Sequence, residues 1–396
     1  MNKQREVVIV GAARTPIGRF QGTLSKVPAT ELGGVVIREA IRRAGIDPAQ
    51  VDEVLMGQVI QAGAGQAPAR QAALKGGLPP TVGATTINKV CGSGLKTVML
   101  AAQAIRVGDA DIIVAGGMES MDLGPYLLPQ ARTGYRLGHG QLIDATVHDG
   151  LWCALEDWHM GEAAEFIARQ YDISREEQDR FALSSHQKAI AAIDGGKFKA
   201  EIVPVEVPQR KGPPVLFDTD EAPRRDTSME ALARLRPAFQ EGGTVTAGNA
   251  PGITDGAAAL VVMGADVAEE QGIEPLARIT GYAQAAVDPK WLFIAPVHAV
   301  RLLLERTGYH LDDFDLIEVN EAFAAQVLAD GKELGWDWER VNVHGGAIAL
   351  GHPIGCSGAR VLVTLLYAMA DRGAKRGLAT LCLGGGEAVT MSVEMG

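Results

Sequence analysis

Apolar residues recur along the chain in two rhythms. Val7-Val8-Ile9-Val10 is a continuous apolar run closed by Gly11, the pattern of a strand buried on both faces of a sheet. From Glu31 to Ala44 the positions Leu32, Val35, Val36, Ile37, Ala40, Ile41 and Ala44 recur at intervals of mainly three and four, and Arg38, Glu39, Arg42 and Arg43 fall mostly off that stripe. The spacing predicts an amphipathic helix that Gly45 stops. Val51 to Gly57 reads as the next strand, so strand and helix alternate as in an α/β layered fold.

This half is echoed near the C-terminus. Arg43-Ala44-Gly45-Ile46-Asp47 through Val54 is matched by Arg306-Thr307-Gly308-Tyr309-His310 through Ile317. Cys91-Gly92-Ser93-Gly94, an apolar helix and Ile112 to Gly117 are matched by Gly355-Cys356-Ser357-Gly358, another apolar helix and Ala379 to Gly385. The offsets are 308 − 45 = 263 and 358 − 94 = 264. Two distant matches at nearly one offset predict two similar α/β halves. The texture changes over residues 122–247, with Pro125, Pro129, Pro204, Pro208, the Lys211-Gly212-Pro213-Pro214 break and the charged stretch Asp218 to Asp226. This predicts a loop-rich insertion with one helical piece around Ser174 to Ile193. Thr254 to Val262 then resembles the closing strand Glu387 to Val393, so the first half resumes after it. The expected division is 1–121 with 248–273, an inserted 122–247, and 274–396.

Composition excludes several classes of function. At 396 residues, 47% hydrophobic and 21% charged, the chain is globular, with two or three domains expected. Lys plus Arg number 37 against 48 Asp plus Glu, a net charge of −11, so no basic field exists to hold nucleic acid or an anionic membrane. An anionic ligand must be gripped locally. Cys91, Cys153, Cys356 and Cys382 are scattered without a CxxC, which predicts reduced thiols in a cytoplasmic protein. Val7 to Val10 falls short of the roughly 7 to 15 residues of a leader's apolar core, and Val361 to Ala370 is about half a membrane span, so a soluble protein is expected.

The candidate chemistry lies in four places. Cys91, in Lys89-Val90-Cys91-Gly92-Ser93-Gly94, falls between a strand and a helix, where unpaired N–H groups and the helix dipole lower a thiol pKa; a small core cysteine is the alternative. His344 and His352 share the stretch His344 to Gly355, with four glycines and no charged residue, where an imidazole can take a thiol's proton or can simply bond backbone. Cys382 runs into Leu383-Gly384-Gly385-Gly386, whose N–H groups can converge on a developing oxyanion. No Gly-Lys-Ser/Thr follows, which excludes a P-loop. Asn320, where the first half has Gly57, can orient a water or a carbonyl, or cap a helix.

Taken together these motifs resemble the thiolase family, in its short-chain branch. The blocks Gly11 to Pro16, Asn88 to Gly94, Ala115 to Met121, Thr246 to Ala250, Asn320 to Phe323, His344 to Gly358 and Cys382 to Gly386 cover nearly the whole chain in order. The resemblance implies a thiolase fold, a duplicated mixed-sheet sandwich of α-β-α-β-α order with a loop-rich inserted domain. It implies acetyl-CoA C-acetyltransferase activity: two acetyl-CoA condense reversibly to acetoacetyl-CoA and CoA through an acyl-Cys91. In it His352 is the base and Cys382 the acid/base at the α-carbon. Asn320 holds a water, and the N–H groups of Cys91 and Gly384 serve the tetrahedral intermediate. Coenzyme A falls to Arg224, Phe239, His159, Met160, Ala322 and Phe323. No metal or redox cofactor is implied, the coenzyme A thioesters being substrates, and a homotetramer built as a dimer of dimers is expected.

Three other readings follow from the same residues. They are a thiolase of broader or longer acyl preference, a carrier-dependent condensing enzyme, against which the second reactive cysteine speaks, and an inactive coenzyme A or lipid-binding protein. Pro251, Glu162 and Leu292-Phe293 depart from the usual pattern, and Glu387 is expected to sit close to Cys382 and raise its pKa by repulsion.

Overall fold

The computed structural model describes residues 5–396. Strands of four or more residues are labelled β1 Val7–Arg14, β2 Glu53–Gly57, β3 Gly83–Ile87, β4 Ile112–Ser120, β5 Thr254–Gly264, β6 Ala277–Ala286, β7 Leu316–Val319, β8 Arg376–Leu383 and β9 Glu387–Met395. Helices of eight or more residues are α1 Ala29–Ala44, α2 Pro68–Lys75, α3 Ser93–Val107, α4 Met160–Gln170, α5 Arg175–Asp194, α6 Ala295–Thr307, α7 Ala324–Leu334 and α8 Ile354–Arg372. Gly45 ends α1 in the left-handed conformation (φ 69°) with its N–H on the Arg42 carbonyl, so the helix stops where the sequence predicts.

The strands lie in the order β7-β8-β9-β6-β1-β5-β4-β2-β3. β2 is parallel to β3 and β4, and β7 to β8; the remaining pairs are antiparallel. Read outward from the β1/β6 junction, β1-β5-β4-β2 and β6-β9-β8-β7 repeat one topology, which is the origin of the sequence echo. β5 comes from beyond the insertion yet lies between β1 and β4.

Alternation along β1 shows how the layers arise. Val7, Ile9 and Ala12 face a core shared with α3 and α8, whereas Val8 and Val10 face a second core under α1 and α2. A third core joins β7 to α6 and α7. Helices thus cover both outer faces, and α3 and α8 fill the middle, giving five layers in the order α-β-α-β-α. α8 has an 18-residue window of mean hydropathy 1.2, enough in length and apolarity to cross a membrane, yet 83% of that window is buried here as the central helix. α3 and α8 cross where a Cβ on Gly94 would lie 2.6 Å from the Ala359 nitrogen, so no larger residue fits. Gly358, at the matching position, meets Leu95 in the same way.

The insertion holds more regular structure than expected. Besides α5 it contains the 11-residue α4, and it is tied to β1 by a charge cluster with almost no exposure to solvent. Arg14 donates from Nε to Glu201 at 2.5 Å and from both Nη atoms to Asp220 at 2.7 and 2.8 Å, and its guanidinium lies over the Phe198 ring at 4.9 Å. Removing one partner from such a cluster leaves charge buried without compensation. We expect Arg14→Met to lower the unfolding free energy by about 3–5 kcal/mol in urea titrations followed by tryptophan fluorescence. An unchanged midpoint contradicts this role.

Candidate active site

Between β3 and α3 the chain turns sharply over Asn88 to Gly92. Val90 takes a left-handed conformation, φ 46°, which a β-branched side chain avoids and which costs on the order of 1–3 kcal/mol. Three hydrogen bonds hold it there. Asn88 Oδ1 accepts from the Val90 N–H at 3.0 Å, and Ser93 Oγ accepts from the Lys89 N–H at 2.8 Å and donates to the Val90 carbonyl at 2.7 Å. The turn presents Cys91 to a cleft of about 350 Å³ that His352, Cys382 and Gly384 also line. One thiol comes from the first half; the imidazole and the second thiol come from the other.

His352 precedes α8 and is oriented by it. Its Nδ1 lies 2.6 Å from Ser357 Oγ, and that hydroxyl donates to the Pro353 carbonyl at 3.0 Å. Ser357 has one proton, so this network assigns the ring proton to Nδ1 and leaves Nε2 an unprotonated acceptor. Asn320, in the bend after β7, brings Nδ2 to 3.4 Å from Nε2, and its Oδ1 is buried without a partner. Cys382 lies near the end of β8, packed in an apolar cluster with Met160, Leu292, Phe293, Ala322 and Phe323.

Burial dominates the electrostatics. The Cys91 thiol is pushed up to about 11, first by loss of solvation and also by the Glu119 charge; the nearby N–H groups of Gly384 and of Cys91 itself pull it down. This reverses the expectation of a thiolate lowered by the helix terminus. Cys91 is partly open to the cleft, but the cleft is walled by apolar side chains, and a few dipoles at a helix end do not replace water. Burial, then the Arg360 charge, drives His352 down to about 3, so the imidazole is neutral. Cys382 is held well above the ordinary thiol range by burial first, then by Cys91 and Asp330. Both thiols therefore carry protons when the cleft is empty, and a lone pair stands ready to take one.

The other expected residues divide into three groups. His159, Met160, Phe239, Ala322 and Phe323 line the cleft, with His159 stacked on Phe239 at 4.8 Å between centroids. Pro251, Leu292 and Phe293 line it too. Arg224 lies outside it, in an adjoining cavity of about 320 Å³ that shares Ala247, Ala250, Gly252 and Ile253 with the cleft. His344 is absent from the cleft and lies between Phe198 and Asp371. Glu162 acts within its own helix, where it accepts the His159 N–H at 2.8 Å while His159 Nδ1 accepts from Gly161 at 3.0 Å, so the pair caps α4. The expectation for Glu387 is corrected. Its carboxylate pairs with Lys89 at 2.6 Å, and the carboxyl that acts on Cys382 is Asp330, brought in by α7.

Glu119 gives no signal of its own in the sequence, although it lies inside the Ala115 to Met121 block. Its buried carboxyl accepts the N–H groups of Val59, Ile60 and Gly355 at 2.9, 3.2 and 2.9 Å, joining the loop after β2 to the start of α8. Burial raises it to about 7 against those three donors. Ser357, five residues beyond His352, was legible only as helix; the contact follows from the helix start. Among the described residues no group of three or more His, Cys, Asp or Glu is placed to hold a metal ion.

The chain is similar to known proteins over nearly its whole length. The chain matches the family description "Thiolase, N-terminal domain" over residues 7–266 and "Thiolase, C-terminal domain" over 273–395. It is 60% identical to an acetyl-CoA acetyltransferase of Pseudomonas aeruginosa over 389 residues, 98% of this chain and 99% of that protein. It is 57% identical to an acetyl-CoA acetyltransferase of Cupriavidus necator over 389 residues, with the same coverage. The crystal structure of the Bacillus anthracis acetyl-CoA acetyltransferase superposes with a TM-score of 0.98 at 47% identity, covering 100% of both chains.

A thiol raised to about 11 remains protonated below that pH. The ultraviolet thiolate absorbance lost in Cys91→Ser is therefore expected to be absent near neutral pH in the free protein and to emerge only as the pH climbs toward 11. A thiolate signal at neutral pH contradicts the balance described above.

Proposed function

The chain belongs to the thiolase family, and we propose on that footing that its cleft catalyses acetyl-CoA C-acetyltransfer: two acetyl-CoA condense to acetoacetyl-CoA and CoA, and the reverse thiolysis runs through the same acyl-Cys91. The observation that carries this reading is the meeting of Cys91, His352 and Cys382 in one apolar cleft. Exchange between thioesters conserves the bond's energy, and the second weak acid allows carbon chemistry at the α-position.

In the first half reaction Cys91 Sγ attacks the acetyl carbonyl as its proton passes to His352 Nε2. The N–H groups of Gly384 and Cys91, which lie beside the sulfur in the free protein, are placed to receive the oxyanion. Coenzyme A leaves with the proton from His352, and acetyl-Cys91 remains. In the second, Cys382 gives its proton to His352, and the resulting thiolate takes a proton from the methyl of another acetyl-CoA. The enolate oxygen is held by a water on the partnerless Asn320 Oδ1 and by the Nε2–H that His352 has just gained. Its carbon attacks acetyl-Cys91, and the released Cys91 sulfur recovers the proton from His352. Each group ends as it began. Because both thiols are neutral at rest, proton movement accompanies bond formation, so charge develops only where donors already wait.

The apolar walls formed by His159, Met160, Phe239, Ala322 and Phe323 suit the pantetheine arm and a short acyl group, and Arg224 in the adjoining cavity suits the nucleotide end. The reading includes a cytoplasmic homotetramer. Leu128, Leu137 and Leu142 in the insertion are 52, 101 and 61% exposed, which favours burial against further copies of the chain.

Incubation with acetyl-CoA is expected to add one acetyl group to the peptide bearing Cys91 and to release free CoA. Cys382→Ala is expected to form the same adduct yet neither make nor cleave acetoacetyl-CoA. An adduct on Cys153 or Cys356, or a fully active Cys382→Ala, contradicts the assignment. Sedimentation equilibrium is expected to give four times the 41.7 kDa of one chain, with the protein recovered in the cytosolic fraction; a monomer contradicts the tetramer.

A further inference from the structure

The two turns that carry the thiols interlock. A Cβ on Gly92 would stand 2.5 Å from Leu383, and one on Gly384 would stand 3.2 Å from Val90, so glycine at both positions lets the two turns pack closely. At the same junction, but outside the cleft lining, Lys89 Nζ lies 2.6 Å from Glu387 Oε1. Lys89 is two residues before Cys91; Glu387 opens β9, five residues after Cys382. The pair therefore ties one half of the molecule to the other beside the reacting groups. Its side chains are 17 and 38% exposed, and an ion pair that open to water adds little stability. The hairpin between β8 and β9 already stands on its own ladder, so the contribution to be sought is one of position.

We propose that the Lys89–Glu387 ion pair is a positioning latch for the reaction, holding the nucleophile turn against the Leu383–Gly386 turn so that the Gly384 N–H stays beside the Cys91 sulfur. This rests on the reading of Cys91 as the acylated group, and it adds two positioning residues that touch no substrate.

The sign of one substitution separates this role from a simple effect of charge. The groups facing Cys91 are His352, Cys382 and Glu119, with Lys96 beside the ion pair. In Glu387→Gln a negative charge is lost and Lys89 is left free, so charge alone lowers the thiol's pKa and speeds alkylation. Loss of the latch withdraws the Gly384 N–H and does the opposite. We expect iodoacetamide to modify Cys91 about three-fold more slowly near neutral pH in Glu387→Gln, the midpoint rising by about half a pH unit. We expect kcat for acetoacetyl-CoA thiolysis to fall with KM unchanged, and the exchanged pair Lys89→Glu with Glu387→Lys to restore both readouts. A midpoint that falls or stays fixed, or an exchanged pair that restores nothing, overturns the latch. Alkylation needs no acyl substrate, so a wild-type protein that forms no acetyl-Cys91 defeats the functional reading while the latch is still measured.

Discussion

Everything in this molecule is arranged around the crossing of two central helices at a pair of glycines. Because neither Gly94 nor Gly358 carries a Cβ, α3 and α8 approach until backbone meets backbone, and the loops at their N-terminal ends are drawn to the same place. One loop carries Cys91 and the other His352. A side chain at either glycine would push the helices apart, and with them the proton donor from its acceptor. The duplication explains why the constraint appears twice at an offset of 264 residues: helices related by internal symmetry meet at equivalent positions.

The same closeness dries the cleft, and dryness decides the protonation states. A charged sulfur or imidazolium in this setting loses more in hydration than local dipoles return, so thiols and imidazole are all neutral at rest. A cysteine beside a helix start suggests a stabilised thiolate when only its neighbours in sequence are considered. What that inference lacks is the desolvation by Leu151, Ile253, Ile354 and Leu383, which no local pattern announces. The preformed N–H groups then act where they matter most, on charge that appears during the reaction.

Buried ions do the remaining positioning. Arg14 with Glu201 and Asp220 fastens the insertion to β1, and Glu119 fastens the loop after β2 to the start of α8. Each spans a long stretch of sequence. The insertion in turn supplies His159 and Met160 to the cleft wall, capped in place by Glu162, so this departure from the usual family pattern serves the start of α4.

The first strands and helix, the repeat and the return of the first half at Thr254 were legible in the sequence, because periodicity, capping and turn chemistry act over a few residues; Cys91, Asn320 and Cys382 stood out only as candidates, and their roles and that of His352 came from the family resemblance. Choosing between His344 and His352 on their surroundings alone required the fold, since both occupy the same glycine-rich loop and only one faces the cleft. So did the partner of Glu387, the place of Asp330 behind Cys382 and the protonation of each thiol. Those are sums over neighbours brought together from distant parts of the chain, and solvent exclusion, the largest of them, exists only once the layers have closed.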